Sequence, residues 1–338
     1  MEPFHPRLEA YLTLTSHARS VAINATERLT AGAIQENWLI SLSFEGGPMS
    51  GKQELVLRRD AIASIGNSRS RAEEFALLTL AYQGGIKVPR PLYLCTDPAI
   101  LGRPFFLMRK IDGTADARLL TREVRTHSDR RDLLTQMGRE LAVIHRLRPD
   151  VNTLPFLGEK SRQPSKGAIQ RCREALDALP QAAPVLEWGL RWAERHLPKS
   201  ENSAFCHRDF RTGNLMVKDN HLTGVLDWEF ADWGDPMEDI GWFCAKCWRF
   251  GFADRDAGGL GAREDFYAAY TSAGGQLVDA DAVWFWEVMA HIRWAIIARE
   301  QGERFATQGE RSLEPALTAY IAPQLEWEIL QMTEQTWP

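Results

Sequence analysis

Residues 204–229 read AFCHRDFRTGNLMVKDNHLTGVLDWE. Leu215-Met216-Val217 and Leu222-Thr223-Gly224-Val225-Leu226 are short apolar runs separated by the turn-forming Lys218-Asp219-Asn220, a pattern that predicts a β-hairpin. Asn214 stands just before the first strand and Asp227 just after the second. Antiparallel pairing would therefore carry Asp227 back toward Asn214 and Asp209. A carboxylate and a side-chain carbonyl are hard oxygen donors, of the kind Mg²⁺ takes while leaving positions for water and phosphate oxygens.

Upstream of this stretch the sequence alternates as strands do. From about Thr26 it gives 38–44, a Gly46-Gly47-Pro48 turn and 54–58, and later 91–95 and 104–108. Between them, 68–83 switches to the helical period, with Phe75, Leu78 and Tyr82 on one stripe and Gly84-Gly85 as the stop. Beyond Gly113 the pattern is helical: 129–147 with Ser128 as N-cap, then 166–179, 184–196, 236–250, 262–273, 279–301 and 313–333. Asp235-Pro236-Met237-Glu238 reads as a capping box at the start of one of these helices, and Asp239 inside it is a candidate brace for the 207–214 loop. The expected class is α+β, with a small antiparallel-sheet part over 1–111 and a larger helical part over 112–338.

His207-x-Asp209-x-x-x-x-Asn214 followed by Asp227 resembles the catalytic loop and metal-binding strand end of the aminoglycoside phosphotransferase and choline kinase type of kinase, relatives of the protein kinases. The likeness runs over roughly 29–248 and is dense over 205–242. It implies a two-lobed protein-kinase-like fold, with 1–111 as the nucleotide-binding lobe. The helical lobe, 112–338, would carry the catalytic loop, the metal site and the acceptor-binding helices. It implies transfer of the γ-phosphate of ATP to an acceptor hydroxyl. Asp209 would orient that hydroxyl and take its proton, Asn214 and Asp227 would hold Mg²⁺, and His207 would brace the loop. Arg58 stands on the third strand where most kinases of this type have lysine, with Glu74 as its pairing acid and Glu73 as second choice; Arg59 should point to the other face. The turn at 30–37, with the single glycine Gly32, would cover the phosphates. The segment 106–111, with Met108 and Lys110, would be the hinge whose backbone reads the adenine edge. Backbone readout leaves ATP and GTP undistinguished. Glu229 replaces the glycine of the protein-kinase D-F-G, which suggests a supporting role beside the metal.

At 338 residues, 44% hydrophobic and 25% charged, the chain can bury one large core or two smaller ones. Forty basic against forty-five acidic side chains leave a net charge of −5, which argues against nucleic acid or a membrane surface as partner. The most apolar stretch, 284–298, is broken by Glu287, His291 and Arg293, so no membrane span is expected. The start, MEPFHPRLEAYL, lacks an export-signal pattern, and five scattered cysteines do not form a disulfide framework, so the expectation is a cytoplasmic protein with no obligatory protein partner. Cys244-Ala245-Lys246-Cys247 reads as a pair of buried structural thiols on one helix, and the tryptophans as core.

Pro236 follows Asp227 by only nine positions, too few for the activation segment of a peptide kinase, so the acceptor should be a small molecule. Charge divides on its nature. Residues 159–174 carry a net +3, which suits an anionic acceptor, while 300–338 carry a net −5, which suits a polyamine sugar. The local phrases around Asp227 and Trp248 favour a metabolic hydroxyl compound such as a hydroxyacyl-CoA or a hydroxy acid. The alternatives are an aminoglycoside or other antibiotic, and a catalytically silent nucleotide-binding protein.

Overall fold

The fold is given by a computed structural model that describes residues 4–29, 36–60, 68–123, 126–199, 202–307 and 313–334. In chain order the elements begin with α1 (His5–Thr15), β1 (Ser20–Leu29), β2 (Glu36–Glu45), β3 (Gly51–Arg59), α2 (Arg71–Gln83), β4 (Pro91–Cys95), α3 (Pro98–Leu101) and β5 (Phe105–Arg109). They continue with α4 (Ala117–Glu123), α5 (His127–Arg146), α6 (Pro164–Asp177), α7 (Pro184–Arg195), β6 (Ala204–Cys206), β7 (Leu215–Lys218), β8 (His221–Val225) and β9 (Asp232–Gly234). The last are α8 (Pro236–Cys244), α9 (Arg263–Ser272), α10 (Ala280–Thr307), α11 (Leu313–Ala319) and α12 (Ala322–Glu334). Among the described residues no helix is long and apolar enough to cross a membrane. Contacts divide the chain into two compact units.

The first unit gathers Met1–Asp116, Pro149–Phe156 and Leu215–Phe230. Its five strands form one antiparallel sheet in the order β1-β2-β3-β5-β4. Strand alternation sorts the side chains: Ile40, Leu42, Phe44, Leu55, Leu57, Phe105 and Leu107 fall on one face, and α1 covers it with Leu8 and Leu12. Burying each such side chain contributes about 1.5–3 kcal/mol. The opposite face carries Arg58 and Phe106, which pair across β3 and β5, and α2 packs on it with Phe75 edge-on to Phe106 at 5.8 Å. The expected hairpin is present as β7 and β8, with Leu215 opposite Val225. It joins this unit through paired 2.9 Å bonds between Val217 and Thr114 and a bond from the Val225 amide to the Lys87 carbonyl. Gly113 makes that approach possible: its φ is +128°, and a Cβ there would lie 2.6 Å from the Val217 oxygen.

The second unit holds Ala117–Arg148, Leu157–Asn214 and Ala231–Pro338. Helix α10 runs through it, packed by α6, α7, α8, α11 and α12, while α5 lies against α9 and the short β6 pairs with β9. Gly138 sits where α5 meets α9, and a Cβ there would stand 2.7 Å from the Phe266 carbonyl oxygen. Gly138→Ala is therefore expected to lose about 1–3 kcal/mol through overpacking, although alanine is the better helix former. A urea titration that shows no loss would mean that α9 can move aside.

Several elements differ from the sequence reading. Helix α5 is capped by Thr126 with Asp129 returning the bond, not by Ser128. Helix α8 stops at Cys244 because Ala245 leaves the helical region at φ −56°, ψ 140°, so Cys244 and Cys247 do not share one helix. Cys244 is buried as expected of a structural cysteine, while Cys247 is half-buried; desolvation raises both thiols above their ordinary value. The single helix expected over 313–333 is two, because Pro323 has no amide to donate and belongs in the first turn of a new helix. The expected capping box at α8 is half made. Asp235 accepts the Met237 amide at 3.0 Å, but Glu238 turns to Arg208 instead of back to the helix start.

Candidate active site

In the first unit the site is built on Arg58, in a sheet strand flanked by β2 and β5. Its Nε lies 3.0 Å from Glu74 Oε1, and its Nη2 lies 2.6 Å from Asp227 Oδ1 and 3.4 Å from Glu229 Oε1. The local sequence explains why Glu74 rather than Glu73 takes this place. Ser70 and Glu73 close a capping box at the start of α2, which occupies Glu73 at the surface and leaves Glu74 facing the sheet. One turn back, Arg71 binds Glu74 by Nη1, Asp60 by Nε at 2.7 Å and Glu229 by Nη2 at 3.4 Å. Ser68 donates to Glu229, and Arg59, on the other face of β3, binds Glu36 and the Leu101 carbonyl.

Arg58, Arg71, Glu74 and Glu229 are buried, while Asp227 keeps 21% of its side chain exposed at φ +66°. Burial works against a charged Arg58, but Glu74, Asp227 and Glu229 more than offset it and raise its pKa. Glu229 moves the other way. Burial first, then the charge of Asp227, push its carboxyl up to about 7 against the pull of Arg58. Arg58 thus hydrogen-bonds Glu74 and Asp227 through two nitrogens of one planar fork, with Glu229 beside it at 3.4 Å, a fixed geometry that the single nitrogen of an ammonium does not offer. Arg58→Lys is expected to cost about 1.5–3 kcal/mol, the value of a lost hydrogen bond to a charged group. An unchanged unfolding midpoint in urea would remove Arg58 as the hub of this cluster.

In the second unit the cluster centres on Asp209, 6% exposed. Its Oδ1 accepts Trp242 Nε1 at 2.9 Å and Arg211 Nε at 3.2 Å; its Oδ2 accepts Asn214 Nδ2 at 2.5 Å. His207, fully buried, accepts the Asp209 amide on Nδ1 at 3.2 Å. Asp239 binds the loop from α8: its carboxylate accepts the amides of His207 at 2.7 Å and Arg208 at 2.6 Å, and Nε2 of His145 at 3.0 Å. Those bonds hold Arg208 at φ +63°, a left-handed conformation that a bulky residue rarely adopts. His145, Cys206 and Asp239 gather their ligand atoms within 4.8 Å, yet Asp239 is committed to the loop amides and burial keeps the Cys206 thiol protonated, so the group braces the loop.

The other residues singled out from sequence lie as follows. Asn214 turns its amide nitrogen onto Asp209, which leaves Oδ1 as the atom it offers, and Asp227 offers a carboxylate; both are donors that fit Mg²⁺. The chain passes from Asn214 directly into β7, whose first residue pairs with Val225, two positions before Asp227. Met108 is half-buried on β5 opposite Val56, and Lys110, exposed, forms an ion pair with Glu54 at 2.7 Å. Gly32 lies outside the described residues. Arg71, Trp242, Arg211 and His145 were not read from the sequence as parts of these clusters. For Arg71 a signal existed, since it stands three residues before Glu74 on the same helix face.

An antiparallel five-strand sheet followed by a helical portion, with this loop and strand end, defines an α+β protein of the kinase-like fold. The chain belongs to the phosphotransferase enzyme family, whose profile matches residues 26–275. It is 28% identical over 232 residues to acyl-CoA dehydrogenase family member 10 of Mus musculus, an alignment that covers 64% of this chain and 21% of that protein. The chain thus spans about a fifth of that relative's length. Among solved structures, a Ralstonia eutropha protein assigned to the aminoglycoside phosphotransferases superposes with a TM-score of 0.74 at 19% identity, covering 98% of this chain and 99% of that one. Spectinomycin phosphotransferase, in complex with ADP and spectinomycin, gives 0.63 at 11% identity and covers 98% of each chain.

Proposed function

We propose that this chain transfers the γ-phosphoryl group of ATP to the hydroxyl of a small metabolic compound, such as a hydroxyacyl-CoA or another hydroxy acid. The observation that carries the reading is Asp209, a carboxylate fixed by three side-chain donors at the end of a braced loop. A group so held is suited to orient an alcohol. Carboxylates as a class are far too weak as bases to ionise an alcohol beforehand. The hydroxyl oxygen therefore bonds to the γ-phosphorus as the bridging bond to ADP breaks, and the proton passes to Asp209 late. Asn214 Oδ1 and the Asp227 carboxylate would hold Mg²⁺, which when bound offsets charge on the β- and γ-phosphate oxygens. Arg58, kept charged by its three carboxylates, would be a cation of the first unit offered to a phosphate.

The kinase-like relatives include a complex with ADP, which supports an adenine nucleotide, and a relative named for acyl-CoA chemistry favours a thioester acceptor. ADP release should be followed over a panel holding 3-hydroxybutyryl-CoA, 3-hydroxybutyrate, kanamycin and neutral alcohols, with ATP or GTP, beside Asp209→Ala. Turnover of the hydroxyacyl compounds that Asp209→Ala abolishes supports the reading. Turnover confined to kanamycin would make the protein an antibiotic phosphotransferase, and nucleotide binding without turnover of any alcohol would make it a silent nucleotide-binding protein.

A further inference from the structure

The two oxygens of Asp209 are held unequally. Oδ1 takes two donors, Trp242 Nε1 at 2.9 Å and Arg211 Nε at 3.2 Å, whereas Oδ2 takes one, Asn214 Nδ2 at 2.5 Å. An ionised carboxylate offers about four lone-pair sites, two on each oxygen. Among the described residues both sites of Oδ1 are therefore filled, and one site of Oδ2 is open. The donors on Oδ1 are themselves fixed. Trp242 is buried, with the Arg293 guanidinium 4.6 Å over its ring and the ring of Trp248 5.3 Å away. Arg293 is anchored in turn by Nη1 on the Arg208 carbonyl at 2.7 Å. The Arg211 guanidinium lies 4.8 Å over Trp248 and folds back along its own loop, where a Cβ at Gly213 would collide with Nη1. Two neighbouring indoles, each covered by a guanidinium, thus back one oxygen of the carboxylate, which keeps 9% of its side chain exposed.

We propose that Trp242 and Arg211 are positioning residues that close Oδ1 and leave Oδ2 as the atom that receives the proton of the acceptor hydroxyl. The inference rests on the phosphotransferase reading above and adds which oxygen of Asp209 works and which side chains select it. As the hydroxyl oxygen bonds to the γ-phosphorus, the bridging bond breaks and its electron pair leaves on ADP. The hydroxyl proton moves to Oδ2, and the pair of the broken O–H bond stays on the transferred oxygen. The terminal torsion of an aspartate is broad, so an unrestrained carboxylate would present either oxygen in many orientations. Trp242 and Arg211 remove that freedom, and the hydroxyl is aligned with the phosphorus as a result. An indole N–H only donates, so Trp242 cannot take over the proton.

The test measures kcat and acceptor KM for wild type, Trp242→Phe, Arg211→Gln and Trp294→Phe, with melting temperatures for each. The acceptor is whichever of 3-hydroxybutyryl-CoA, 3-hydroxybutyrate, kanamycin and the neutral alcohols is turned over fastest. Trp294 belongs to the same aromatic cluster, 5.1 Å from Trp248, and its indole nitrogen donates to none of the described residues, so its variant reports the loss of an indole by packing alone. Trp242→Phe is expected to lower kcat on the order of 10–10²-fold, the effect of misplacing a reacting group by about 1 Å, with acceptor KM changed by less than about threefold. Arg211→Gln should act in the same direction, and Trp294→Phe should leave kcat near that of wild type. Benzothienylalanine at position 242 keeps the ring and its stacking but carries sulfur in place of the N–H, and it should be as slow as Trp242→Phe. Recovery of the wild-type rate by this isostere, or a loss in Trp294→Phe as large as that in Trp242→Phe, would make Trp242 a packing residue and overturn the inference. A kcat in Trp242→Phe or Arg211→Gln equal to or above that of wild type would place the proton on Oδ1, freed of a competing donor, and overturn it as well. These results leave the phosphotransferase reading standing. Absence of turnover with every alcohol overturns both.

Discussion

Asp209→Asn is expected to lower kcat by on the order of 10²–10⁴-fold, the usual contribution of a positioned general base, while the protein stays folded. The substitution keeps the size of the side chain and removes its charge and one acceptor. One oxygen can still receive Trp242 Nε1 and Arg211 Nε, as Oδ1 does in the wild type. The new amide nitrogen would then face Asn214 Nδ2, donor against donor, across what is now a 2.5 Å hydrogen bond. Asn214 must turn over to relieve the clash, and its Oδ1 turns with it. The variant should therefore need more Mg²⁺ for its residual rate, a readout that loss of the base alone would not move. Asp209→Ala leaves buried donors without an acceptor and should in addition lose about 1–3 kcal/mol of stability. ADP release measured over a range of Mg²⁺, with thermal melts alongside, separates these effects. An Asn variant within threefold of wild type at all Mg²⁺ concentrations would remove Asp209 from the chemistry.

What could be read from the sequence follows from how local each signal is. The hairpin over 215–225 was legible because two apolar runs and a turn lie within eleven residues, and the structure pairs Leu215 with Val225 accordingly. The contact of Arg58 with Glu74 was legible through the family resemblance, which puts a basic side chain on the third strand and its pairing acid on the following helix, and the structure makes that bond. Strand β1 was harder. It has one buried residue, Val21, so the alternation that marks a half-buried strand is missing. Helix α1 buries only Leu8 and Leu12 over eleven residues, too sparse a stripe to register, although Pro6 near its start was a cue. Trp242 looked like core, and by burial it is, yet its indole nitrogen reaches Asp209 thirty-three positions away. Glu238 fitted a local cap but found Arg208, a charge thirty residues upstream. In both cases a contact distant in the chain overrode a sound local reading.

Asp239→Ala is expected to cost about 3–5 kcal/mol of unfolding free energy, the loss typical of breaking a buried charged network by removing one member. Asp239 is fully buried and its two oxygens take three donors, so truncation would strand the amides of His207 and Arg208 and the Nε2 of His145. The amides matter most for function. They hold Arg208 at positive φ, and strain of this kind, about 1–3 kcal/mol, persists only while its surroundings impose it. Without Asp239 the chain at 207–209 relaxes and Asp209 leaves its donors, so activity should fall even where the variant is still folded. Asp239→Asn, with one acceptor left, should lie between. Burial alone would raise the Asp239 pKa, but the bond and charge of His145 and the contribution of His207 bring it below its ordinary 3.8. The contribution of its charge to stability is therefore complete above that value and is lost as pH falls through the lowered folded one. Urea midpoints of wild type and Asp239→Asn should accordingly differ by a constant amount from pH 5 to 8 and converge below pH 4. A gap that closes near pH 6 instead would mean that the network turns on another group, and that the loop is held from elsewhere.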